Sequence, residues 1–143
     1  MKNIGIGGDH AGYEYKSEII PYLEGLGFNV TDFGPNSTDS VDYPDYIHPM
    51  ASKIEAGELS LGIAICGSGN GVCMTANKHQ GIRAALTWNT ELASLARQHN
   101  NANVICIPAR FVDLGTAKEM AKVFLETDFE GGRHQKRVDK INC

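Results

Sequence analysis

No apolar stretch in this chain of 143 residues is longer than a strand, so none can span a bilayer as a helix. The charged-then-apolar layout of a secretory leader is missing too, because Met1 runs directly into a strand-like segment. Cysteine is sparse. The four residues at 66, 73, 106 and 143 form no CxxC pair and have no disulfide-scaffold density, and a reducing cytoplasm is the expectation. Net positive charge is also lacking: 13 basic residues face 17 acidic ones, for a net charge of −4. That argues against a general nucleic-acid binder. No linker, repeat or low-complexity tract interrupts the chain, and residues 1–143 read as one domain.

Basic residues are few but unevenly placed. Arg133, Lys136, Arg137 and Lys140 crowd the last dozen positions together with His134. In a mildly acidic chain, such a cluster suits one small anion better than a polyanion.

Short apolar runs at 3–7, 28–33, 61–66, 82–86 and 104–107 alternate with longer segments of helical spacing. The runs at 61–66 and 104–107 are almost continuous in Ile, Leu, Val, Ala and Cys, as in strands covered on both faces. Tyr15, Ile19, Leu23 and Leu26 form one helical stripe; Leu92, Leu95, Ala96 and His99 form a second. Leu114, Ala117, Ala121, Phe124 and Leu125 form a third. Asn89 or Thr90 can cap the second helix and Asp113 the third, while Pro44 suits the start of a helix over 45–57. Pro21 should distort the first helix, since an interior proline costs about 3 kcal/mol. The expected architecture is α/β: a three-layer αβα sandwich around a five-stranded parallel, Rossmann-like sheet.

In such folds ligands bind beyond the carboxyl ends of the strands. Two strand ends carry unusual sequences there, GGDHAG at 7–12 and CGSGNG at 66–71. Glycines at 67, 69 and 71 let the backbone turn tightly and aim N–H groups outward, and a helix beginning near Asn70 points its N-terminus into the turn. Helix N-termini favour a thiolate over a thiol, so Cys66 can act as a nucleophile or a general base. Other glycine loops are excluded by spacing. A nucleotide P-loop needs a Lys after its glycines, a tyrosine-phosphatase loop needs an Arg where Val72 stands, and GxGxxG is not met despite Asp32 ending the second strand. What remains is anion stabilisation beside a reactive thiol. The plainer alternative is a packed strand-end cysteine followed by an ordinary turn. Cys73 and Cys106 read as core or near-core residues, and Cys143 as an exposed tail.

With these segments in view, the chain resembles the ribose-5-phosphate isomerase type B family, which has the galactose-6-phosphate isomerase subunits as relatives. The resemblance covers nearly the whole length. Its markers are GGDHAG at 7–12, DYPDY at 42–46, CGSGNG at 66–71, ANK at 76–78, GIRAAL at 81–86, RQHNNANV at 97–104 and GGRHQKRV at 131–138. It implies an aldose–ketose isomerase of the pentose phosphate pathway acting on a small phosphorylated sugar. Cys66 would move the proton between C2 and C1, and His99 would open the sugar ring. Asp9 and His10 would contact the sugar, and Gly67, Ser68, Gly69, Asn70 and Gly71 would cradle the enediolate. Asn100, Arg110, Arg133 and Arg137 would complete the sugar and phosphate contacts. One branch of the family has a glutamate where Val72 stands and lacks the cysteine. Here the thiol is present and the glutamate absent.

Such a reaction involves no net redox change, and neither a cofactor nor a metal is expected, because no cluster with metal-ligand spacing is visible in the sequence. His99 and Asn100 end a helix that leads into the fifth strand, at the pole opposite Cys66. The expectation is therefore a homodimer whose partner subunit supplies them, in line with the family, with a tetramer left open. Which subunit gives Arg110, Arg133 and Arg137 is open as well. For His99 alone the bland reading is a buried structural histidine, and for the arginines a solvated basic face; the resemblance reverses both. Tyr43 and Tyr46 could line the pocket or pack the loop, Trp88 should sit at a strand end, and His48 and His79 receive no role. Two other functions stay in play. One is the same chemistry on a six-carbon aldose phosphate, such as galactose 6-phosphate or allose 6-phosphate. The other is a non-catalytic phosphosugar-binding module.

Overall fold

The computed structural model describes residues 2–143. Its strands are β1 (Asn3–Gly8), β2 (Asn29–Asp32), β3 (Leu61–Cys66), β4 (Ala84–Leu86) and β5 (Val104–Pro108). The bounds agree with the apolar runs to within one residue, except that β4 begins at Ala84 rather than at 82. All neighbours pair in parallel in the order β2-β1-β3-β5-β4, with Ile6 opposite Ile63 and Ile63 opposite Ile105. β3 and β5 lie in the middle and are buried at every position, which is why their sequences are continuously apolar.

The helices are α1 (Tyr13–Gly25), α2 (Pro44–Glu55), α3 (Asn70–Ala76), α4 (Thr90–Gln98), α5 (Leu114–Glu126) and α6 (Gln135–Val138). They cover both sheet faces and enclose two cores. Ile63, Ile65, Ile105 and Ile107 pack with Ile19, Leu23, Ala93, Ala96, Phe124 and Leu125 of α1, α4 and α5. Ala64, Cys66, Val104 and Cys106 face the other way, against Ile47, Met50 and Ile54 of α2 and Val72 and Ala76 of α3. Side chains alternate along a strand, so Cys66 is committed to the α2–α3 face. The result is the expected three-layer αβα sandwich.

Pro21 does not break α1, which runs through it. The proline ring faces solvent, while Ile19 and Leu23 on the inner face are fully buried and hold the turn against the sheet. α2 likewise contains an interior proline, Pro49, also on an exposed face. Asn89 caps α4 by accepting the Leu92 N–H at 2.8 Å, and Asp113 caps α5 by accepting the Thr116 N–H at 2.7 Å. Asp32 binds a lysine rather than a ribose. Lys16, only 2 % exposed in the first turn of α1, reaches its two carboxylate oxygens at 2.9 and 2.8 Å. Burial of a lysine requires such a partner, and the pair ties α1 to the end of β2.

Candidate active site

Because every strand runs the same way, all five carboxyl ends collect at one pole, with the glycine sequences that follow β1 and β3 side by side. The close approach is obligatory. A Cβ on Gly8 or on Gly12 would strike the Ile65 carbonyl, one residue before Cys66. Asp9 turns the chain there, accepting the Ala11 and Gly12 N–H groups at 2.9 and 3.2 Å, while its own N–H donates to Ile65 O. His10 Nδ1 accepts the Val41 N–H at 3.3 Å. The neutral ring then carries its proton on Nε2, which makes His10 a donor on its free side.

After β3 the backbone turns through Gly69, whose φ of 75° belongs to the left-handed region that glycine alone enters freely. That turn swings the Gly69 N–H back onto Cys66 Sγ at 3.2 Å. Cys66 is 5 % exposed, and it lies on the wall of an open pocket of about 400 Å³. Asp9, His10, Tyr43, Ser68, Arg110 and Phe111 share that wall. Arg110 donates its backbone N–H to Gly67 O at 3.0 Å and lays its guanidinium over Gly67. It therefore belongs to the pocket of its own chain. Tyr43 also lines the cavity and packs so closely on Gly71 that a Cβ there would meet its ring. Tyr46 packs against Gly34 instead.

The remaining expected site residues lie at the other pole. His99 is the C-cap of α4, just before β5, and is 38 % exposed. Asn100 lines a separate hollow with Arg83, Ala102 and the terminal residues Ile141, Asn142 and Cys143. Arg133 falls in a 3-10 turn and Arg137 in α6, where its guanidinium donates to Arg133 O at 3.3 Å. One chain thus does not bring His99, Asn100, Arg133 or Arg137 to the Cys66 pocket, as the βαβ connection requires. The other members of RQHNNANV are structural. The Arg97 guanidinium donates to Thr127 O, Ala102 O and Asn101 Oδ1, and Asn103 joins Gly81 O to the Arg83 N–H. Asn101 takes a φ of 48°, a conformation that asparagine tolerates.

Several groupings had no signal in the sequence. The rings of His99 and His134 stack with centroids 4.2 Å apart, and Glu130 sits beside both. Burial, then the neighbouring His99 and Arg133, hold His134 below the usual imidazole range. His99, Glu130 and His134, the first and last 35 positions apart in the chain, bring their ligand atoms within 4.8 Å of one another, a grouping that no spacing in the sequence announced. His48 and His79 are partners of each other, Nδ1 to Nε2 at 2.7 Å, and His79 Nδ1 meets Glu55 at 2.8 Å. The Gly81 N–H and His79 hold the Glu55 carboxyl below the usual carboxylate range. Cys73, by a hydrogen bond with the Cys106 thiol, is brought down to about 7, whereas burial pushes Cys106 up. Trp88 and Phe111 are exposed large apolar residues, and with Ser68 and Leu86 they line a hollow adjoining the Cys66 pocket. Among the described residues, no helix is long and apolar enough to cross a membrane.

A thiol at the end of a central strand, followed by a glycine turn and opening on a polar pocket at the carboxyl pole of a doubly covered parallel sheet, places the chain among the small-metabolite α/β proteins. Comparison with known proteins narrows that class. The sequence profile of the Ribose/Galactose Isomerase family matches residues 4–141. Ribose-5-phosphate isomerase B of Escherichia coli is 43 % identical over 143 residues, covering 100 % of this chain and 96 % of that protein. The solved ribose-5-phosphate isomerase B of Clostridium thermocellum superposes with a TM-score of 0.95 at 45 % identity, covering 97 % of this chain and 94 % of the other. The Mycoplasma genitalium enzyme of the same name, solved with bound ribulose-5-phosphate, gives 0.93 at 48 % identity, covering 97 % and 93 %. The chain belongs to the ribose/galactose isomerase family, a family of aldose–ketose isomerases.

Proposed function

We propose that this chain interconverts ribose 5-phosphate and ribulose 5-phosphate through an enediolate, with the Cys66 thiolate as base. The observation that carries the reading is the sulfur itself, which accepts the Gly69 N–H at 3.2 Å on the wall of a pocket it shares with Asp9, His10, Ser68 and Arg110. The dominant sugar form is a ring, so a proton must first reach the ring oxygen while one leaves the C1 hydroxyl; His99 performs this opening. The thiolate then takes the proton from C2 of the open aldose. Charge develops on O1, where the amides of the 67–71 turn and the Ser68 hydroxyl can donate. The proton on O2 passes to O1, the C2 carbonyl forms, and the Cys66 thiol returns its proton to C1. No net electron is gained or lost, and the thiolate is regenerated.

The phosphate is held by Arg110 together with Arg133 and Arg137. His99, Asn100, Arg133 and Arg137 enter from a second copy of the chain, docked over the pocket rim. The exposed Trp88 and Phe111, 56 % and 75 % accessible beside that rim, support such a contact. All four cysteines are free, which supports work in a reducing compartment such as the cytoplasm.

A coupled assay of the purified protein on ribose 5-phosphate, galactose 6-phosphate and allose 6-phosphate tests the substrate. The highest kcat/KM is expected on the pentose; a clear preference for a hexose phosphate would replace it. Cys66→Ala tests the chemistry. It should lower kcat about a thousandfold, and turnover within a few-fold of the parent would remove the thiol from the mechanism.

A further inference from the structure

Three side chains meet at the pole opposite Cys66 without any hydrogen bond joining them. His99 Nε2 lies 3.9 Å, and His134 Nε2 3.6 Å, from the same oxygen, Glu130 Oε1. Both separations are too long for hydrogen bonds, and all three ligand atoms fall within 4.8 Å of one another. The main chain fixes their origins. His99 caps α4, the Glu130 N–H donates to Gln98 O at 3.0 Å, and the His134 N–H donates to Gly131 O at 3.0 Å.

Two imidazoles and a carboxylate are a zinc donor set that leaves a fourth position for water. A tetrahedral ion with bonds of about 2.0–2.1 Å needs ligand atoms about 3.3 Å apart. The Glu130 oxygen is within a fraction of an ångström of that spacing from each ring nitrogen. The two rings, stacked at 13°, must tilt so that their lone pairs converge. His99 is 38 % exposed and has room to do so. Hard ions such as Mg²⁺ prefer oxygen ligands in octahedral geometry and do not suit this set.

We propose that His99, Glu130 and His134 form a binding site for a borderline divalent transition ion such as Zn²⁺, and that its occupancy inhibits the isomerase by engaging His99 Nε2. The inhibition rests on the reading of His99 as the ring-opening group; the site does not.

Binding is read first by titrating Co²⁺ into the Cys66→Ala protein, which removes the active-site sulfur as a competing ligand. The expected signal is one ion per chain with the visible d–d bands of a four- or five-coordinate nitrogen–oxygen site, and no sulfur charge-transfer band. Glu130→Gln and His134→Asn, each checked for an unchanged far-ultraviolet spectrum and melting point, should weaken binding by more than about tenfold, the low end of the loss on removing even an outer-shell partner. In the parent enzyme Zn²⁺ should inhibit reversibly while Mg²⁺ does not, and His134→Asn should need more Zn²⁺ for half inhibition. Absence of Co²⁺ binding, a sulfur band, or binding indifferent to both substitutions overturns the site. Glu130-dependent binding combined with normal turnover by His99→Asn would preserve the site and overturn the ring-opening role instead.

Discussion

At the carboxyl pole of the sheet the pocket is shaped by main chain. The Asp9 N–H rests on Ile65 O, the Ala109 N–H on Cys66 O, the Arg110 N–H on Gly67 O and the Gly69 N–H on the sulfur. At the opposite pole side chains do the joining. Arg97 staples α4 to Thr127 and Ala102, Glu55 links His79 to the Gly81 N–H, and His99 stacks on His134. The first arrangement pins the pocket wall by main-chain hydrogen bonds that do not titrate, so the wall keeps its shape when charge develops beside it. The second concentrates imidazole and guanidinium, which suits proton exchange and phosphate. An isomerase needs both, and a single chain holds them at opposite ends.

The largest effect expected from this contrast comes from mixing variants. Cys66→Ala and His99→Asn homodimers should each be nearly inactive. A heterodimer formed by unfolding and refolding them together keeps one intact composite site, so a random mixture should regain about a quarter of parental activity. Verified heterodimers without activity would show that the poles do not combine. Next, Arg137→Ala should raise KM for the phosphosugar by about tenfold to a hundredfold, the worth of a charged hydrogen bond, with a much smaller change in kcat. An unchanged KM would return that arginine to the solvated surface.

Two smaller effects compare how the poles are held. Gly8→Ala drives a Cβ into the Ile65 carbonyl and should cost about 1–3 kcal/mol in a urea unfolding curve, lowering turnover with it. Glu55→Gln should act by charge instead. The folded carboxyl is held below its unfolded value, so its contribution is present above the ordinary carboxylate range and is lost as pH falls through the lowered value. Melting points of parent and variant should therefore differ modestly at neutral pH and converge toward the acid end. A constant difference across pH would mean that packing, not charge, links Glu55 to Gly81.

The strands were legible because β3 and β5 are covered on both faces, and burial on both faces leaves only apolar residues. The Cys66 turn was legible because a left-handed φ and close backbone contacts demand glycine at particular positions. Pro21 lies inside a helix that nonetheless continues: local propensity counts a lost hydrogen bond, whereas Ile19 and Leu23 pack on the sheet and outweigh it. Lys16 lay unnoticed within the α1 stripe because its partner, Asp32, arrives only when α1 folds back on β2. The same holds for His48 with His79, and for Glu130 between His99 and His134.

By itself, then, the amino-acid order determined what depends on neighbours along the chain: alternation of elements, burial of the central strands, and a thiol entering a glycine turn. Tertiary structure alone decided which titratable groups meet, since those encounters follow from how helices pack across the sheet. It also decided that the Arg110 guanidinium lies over Gly67 in the pocket of its own chain, whereas the opposite-pole position of His99 already followed from the alternation of strand and helix, because successive parallel strands must place helix ends and strand ends at opposite poles.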